Sequence, residues 1–134
     1  MSARPSIFSH TFVHVGFAFL AMGGWAVFAN RAHAFPDPLI AGIVQGALSA
    51  TITLVMKKAL EALSSQFFVI GYRYLPLFAP PLIVCSISLS VLIGCHMAAG
   101  TPEIAATIAV PFSVAFTYAC LYTFGLWRQE TQKS

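Results

Sequence analysis

Charge is scarce in this chain: seven Lys or Arg and four Asp or Glu in 134 residues, or 8%, against roughly 25% in a soluble domain. An ordinary soluble protein is thereby excluded. Cysteine is sparse too. Cys85, Cys95 and Cys120 all fall inside apolar stretches, and an odd number at membrane depth makes a poor disulfide framework, so they read as small core residues. No CxxC pair and no CxxCH haem signature occurs. Paired carboxylates, an activated nucleophile and a metal-ligating set are missing as well, so the chain reads as a non-enzyme with no catalytic residue, no metal site and no cofactor.

What it has instead is apolar length. Hydrophobic residues make up 58% of the chain, mean hydropathy is +0.82, and four stretches are each able to cross a hydrocarbon core of about 30 Å. The expected spans run from about Ser9 to Asn30, Leu39 to Leu63, Pro81 to Ala99 and Pro102 to Trp127. The fold class expected is an all-α membrane protein, with four transmembrane helices in an antiparallel bundle that fills residues 1–134 as a single domain. Spans and short connectors leave no room for a soluble lobe. Ala32-His33-Ala34 resembles a signal-peptidase site, but the run before it, Phe12 to Ala29, exceeds the usual signal-peptide core of about 7 to 15 residues. It is read as a retained first span.

Prolines mark the helix starts. Pro36 and Pro38 bracket a short first loop, and Pro102 suits a first helical turn, with Thr101 as the expected N-cap. Between spans two and three lies Phe67-Phe68-Val69-Ile70-Gly71-Tyr72-Arg73-Tyr74, rich in aromatic and basic residues that prefer the interface. This segment is expected to lie along the membrane surface until Pro76, Pro80 and Pro81 turn the chain. A third span starting near Phe67 is the alternative. Pro111, inside span four, removes a backbone bond to Thr107, which predicts a kink for gating or for curvature.

A net charge of +3 and a pI near 9.0 raise nucleic acid as a partner, but the basic residues stand singly or as one pair at span ends, never as a stripe. Nucleic acid is therefore excluded, and anionic lipid headgroups become the expected contact of Lys57, Lys58 and Arg73. Arg4, Lys57, Lys58, Arg73, Arg128 and Lys133 fall on one side of the spans and only Arg31 on the other. By the positive-inside rule both termini are cytoplasmic, in a multi-pass protein of the plasma membrane, here the bacterial inner membrane.

Small residues recur at spacings of four: Gly42, Gly46 and Ala50 in span two, Ser86, Ser90, Gly94 and Ala98 in span three, and Ala105, Ala109, Ser113 and Thr117 in span four. Such stripes let helix backbones approach closely in lipid, either within one chain or between chains. Gln45 beside Gly46 is an amide at depth, so it serves as an interhelical clasp or as a contact along a path. His10 and His14 share one face of span one and read as interfacial, proton-sensitive groups. Asn30, Arg31, His33 and Asp37 in the first loop, with His96 and Glu103 flanking the third, make a dense polar set, of which Asn30, Arg31, His33 and Glu103 form a candidate anion or headgroup site; Arg31 pairing with Asp37 or Glu103 is the plainer reading.

Two functions compete on this footing. One is an interaction or assembly module, acting as a homo-oligomer or as a subunit among other membrane proteins. The other is a transport component, a facilitator, channel or lipid-carrier accessory for an anionic solute or headgroup, although no charge sits at mid-membrane to couple an ion.

Overall fold

The computed structural model describes the backbone of residues 7–133 and the side chains of residues 10–133. Arg4 lies outside the described residues. Four helices account for nearly all of the rest, α1 (Ile7–Ala29), α2 (Asp37–Ile70), α3 (Leu75–Ala98) and α4 (Ile104–Lys133), and no strand occurs among the described residues. All four are long and apolar enough to cross a membrane, which fits a multi-pass membrane protein.

Each helix runs antiparallel to the next, as the cross-contacts require. Trp25 meets Ala106, Gln45 meets His96 and Glu61 meets Tyr122, so α2 and α4 point the same way. One end of the molecule carries the α1–α2 and α3–α4 loops and is called the loop end. The opposite, terminal end carries the start of α1, the α2–α3 turn and the end of α4. Helix α2 packs on all three others, whereas α1 packs on α2 and α4.

The boundaries differ from the expected spans chiefly at the α2–α3 connection. Phe67 to Ile70 are not a separate connector but complete α2, a 34-residue helix about 51 Å long. Gly71 stops it in the left-handed region, φ 91°, with its N–H bonded back to the Phe68 carbonyl. Helix α3 then starts at Leu75, earlier than Pro81 and later than Phe67. Pro76 occupies its first turn, where no backbone donor is needed, and Pro80 and Pro81 lie inside the helix. These prolines act as early helix residues rather than as a turn. Helix α4 begins at Ile104 and continues through Pro111 to Lys133.

The apolar core lies between α2, α3 and α4, where Met56, Leu60, Val84, Cys85 and Ala119 pack together, with Phe112 and Tyr122 against them. Cys85 is part of this core, Cys95 and Cys120 are half-buried, and all three are free thiols. Helix α1 is held differently, by backbone proximity. A Cβ on Gly23 would sit 2.8 Å from the Gly42 carbonyl oxygen, one on Gly46 would sit 2.9 Å from the Phe19 carbonyl oxygen, and one on Gly42 would run into Val27. Glycines on both helices are what permit this approach.

Candidate functional site

The loop end holds the densest polar chemistry, in two buried networks. The first begins at Asn30, just past α1 and with no exposed surface. Its Nδ2 donates to the Ala26 carbonyl at 2.9 Å and to Thr107 Oγ1 at 2.7 Å, and its Oδ1 accepts the Glu103 backbone N–H at 3.0 Å. The amide thus supplies the acceptor that the opening of α4 needs, the role expected of Thr101. Thr107 in turn donates to the Glu103 carbonyl. Trp25 Nε1 adds a bond to the Ala106 carbonyl at 2.9 Å, so α1 is fastened to α4 twice.

The second network runs through Gln45, which is fully buried, as is His96. His96 Nε2 is 2.9 Å from Gln45 Oε1; an amide oxygen only accepts, so Nε2 carries the proton. His96 Nδ1 is then the acceptor for the Thr101 hydroxyl at 2.8 Å. Gln45 Nε2 donates to Ser49 Oγ at 2.8 Å. Four side chains from α2, α3 and the following loop satisfy one another in sequence. His96 is the member that sequence reasoning assigned elsewhere, to the rim of the third loop.

Of the four residues proposed for anion binding, Asn30, His33 and Glu103 come together and Arg31 stands apart. His33 Nε2 lies 3.0 Å from Glu103 Oε1, so the acid expected near Arg31 is engaged by the imidazole. Arg31 is exposed. It donates from Nη1 to the Phe28 carbonyl at 2.8 Å and lies 3.9 Å above the Phe28 ring, a cation–π arrangement.

The stripes divide between inside and outside. Gly42 and Gly46 are buried against α1, with Ala50 half-buried below them. Gly23, their counterpart on α1, was missed by spacing alone; the Gly23-Gly24 pair was the available signal. By contrast Ser86, Ser90, Gly94 and Ala98 on α3, and Ala105, Ala109, Ser113 and Thr117 on α4, are all exposed. The Ser90, Ser113 and Thr117 hydroxyls bond to carbonyls four residues back.

At the terminal end Lys57, Lys58 and Arg73 are exposed, and so are His10 and His14. Trp127 Nε1 donates to the Arg73 carbonyl at 2.8 Å, and its ring stacks on Tyr74 and Phe124. Glu61 accepts a bond from the Tyr122 hydroxyl, with Lys57 Nζ 6.0 Å from that ring. No family model, curated protein or solved structure matches the chain.

Proposed function

We propose that the protein is a small multi-pass membrane protein working as an assembly module, a four-helix transmembrane bundle whose exposed α3 and α4 faces receive helices of a partner. The observation that carries this reading is the exposure of two complete small-residue stripes, Ser86 to Ala98 and Ala105 to Thr117, among the described residues. In lipid, helices associate through close backbone approach at such stripes. The first partner is a second copy, since a patch can meet its own twofold mate in an isologous contact; other membrane-protein subunits come next.

The placement in a bilayer draws support from the two tryptophans. From Ala106, where Trp25 docks, to Trp127, helix α4 climbs about 32 Å, close to a hydrocarbon thickness of about 30 Å with an aromatic anchor at each boundary. Basic residues then support the orientation. Lys57, Lys58, Arg73, Arg128 and Lys133 belong to the terminal side and Arg31 to the loop side, which favours cytoplasmic termini in the bacterial inner membrane. Arg31, Lys57, Lys58 and Arg73, all exposed, serve as headgroup contacts at the two surfaces. The transport alternative draws less support, because Gln45, His96, Ser49 and Thr101 bond to one another rather than to a passing solute.

The test is native mass spectrometry of the protein extracted in mild detergent, comparing wild type with Gly94→Leu and Ser113→Leu. Oligomers that shrink to monomers in either variant support the module. A wild type that is monomeric at every concentration, with no stoichiometric membrane partner, refutes it.

A further inference from the structure

A second polar place lies at the terminal end, between α2 and α4, and the assembly reading makes no use of it. A cleft of about 270 Å³ is walled by Phe68, Val69 and Leu126 and rimmed by Glu61, Glu130 and Ser64. Ser64 is only 2% exposed, and its hydroxyl has no hydrogen-bond partner. A buried hydroxyl left unbonded costs stability, so an unpaired one lining a cleft with two carboxylates points to a donor that arrives from outside.

The charges around the cleft define that donor. Glu61 carries the Tyr122 hydroxyl bond, which uses one of its several acceptor positions. Lys57 and Lys58 lie one turn before Glu61 on α2, and Lys133 Nζ is 2.8 Å from Glu130 Oε1. Glu130 therefore carries a cation, with Arg128 on the same helix end, and Glu61 has two lysines one turn away along its helix. A bare cation would meet repulsion from those bases, and a bare anion would meet it from the acids. A zwitterion satisfies both signs, and a primary ammonium brings three N–H donors for Glu61, Ser64 and Glu130. The apolar walls suit the start of an acyl chain.

We propose that this cleft binds the ethanolamine headgroup of a membrane phospholipid, its ammonium on Glu61, Ser64 and Glu130 and its phosphate toward the neighbouring lysines. The shared chemistry is a primary ammonium, so a free alkylamine is the competing source.

The experiment offers the purified full chain an equimolar mixture of phosphatidylethanolamine, phosphatidylcholine and phosphatidylglycerol with identical acyl chains and counts retained lipid by native mass spectrometry. The choline lipid has the same phosphate but no N–H donors. Wild type should retain the ethanolamine lipid over the choline lipid by about tenfold, the worth of charge-assisted hydrogen bonds. Glu61→Gln and Ser64→Ala should each bring the ratio toward one while leaving phosphatidylglycerol retention unchanged. Ser64→Ala removes a hydroxyl that bonds nothing, so it keeps the test decisive if Glu61→Gln does not fold. Equal retention of the two zwitterions by wild type, or a preference unaltered in Ser64→Ala and in folded Glu61→Gln, overturns the proposal. Displacement of the lipid by an equal concentration of decylamine overturns it in favour of a free amine.

Discussion

Asn30 Nδ2 donates to Thr107 Oγ1 at 2.7 Å, joining the end of α1 to the first turn of α4 across 77 positions of chain. The same side chain accepts the Glu103 N–H and donates to the Ala26 carbonyl. Every hydrogen-bonding atom of the amide is thus used in joining helices.

Removing this amide should cost more than an average polar deletion. Asn30→Ala leaves the Glu103 N–H without its acceptor and takes away the bond that buried Thr107 Oγ1 accepts, and stability should fall by about 1–3 kcal/mol. Asn30→Asp keeps the shape but loses both donated bonds and adds a buried charge, so it should be at least as damaging. Thermal unfolding in detergent measures both; a melting temperature unchanged in Asn30→Asp would show that the amide does not fasten α1 to α4.

Neighbouring glycines on α1 should behave oppositely. Gly23→Ala would press a methyl to 2.8 Å from the Gly42 carbonyl oxygen, a backbone atom that cannot rotate away, and should cost about 1–3 kcal/mol. Gly24 has nothing within 4 Å of an added Cβ, so Gly24→Ala should be neutral or stabilising by up to about 1 kcal/mol through helix propensity. The same unfolding assay compares them, and equal effects would contradict the close approach of α1 and α2.

The Gln45 and His96 pair predicts non-additivity. Gln45→Leu or His96→Leu alone strands a buried polar partner, whereas the double variant removes both at once. The double variant should be more stable than the sum of the single losses by about 1 kcal/mol or more. Simple additivity in a double-mutant cycle would mean that the two side chains do not depend on each other.

Topology is testable at two exposed positions, Ala34 and Ser65. With cytoplasmic termini, a single cysteine at Ala34 in a cysteine-free background reacts with an impermeant thiol reagent added to intact cells. One at Ser65 reacts only after lysis. Reaction of both from outside would reverse or break the proposed orientation.

Helix number was legible because hydropathy over about 20 residues is a bulk property that survives local error. Helix ends were less so. Pro80 and Pro81 suggested a turn, yet they occur after Pro76 has already opened the helix, and the real stop was Gly71, whose positive φ is unavailable to most residues. Spacing identified Gly42 and Gly46 as a packing stripe but not Gly23 as their partner, since periodicity describes one helix at a time. The pairing of Gln45 with His96 spans 51 positions, and nothing local at either residue names the other. Burial of Asn30 was hidden for the same reason: its partners arrive with α4.

The glycine contacts that bring α1 against α2 lie within residues 19 to 46, whereas the Asn30 bonds that fasten α1 to α4 need residues 103 and 107. During synthesis, which runs from the N-terminus, the α1–α2 hairpin therefore has these contacts before α4 leaves the ribosome. Asn30, at the tip of that hairpin, has its bond to the Ala26 carbonyl but not yet its other two partners. Arrival of α4 supplies the two missing partners, so the bonds of Asn30 to Glu103 and Thr107 report that α4 has docked on the α1–α2 hairpin.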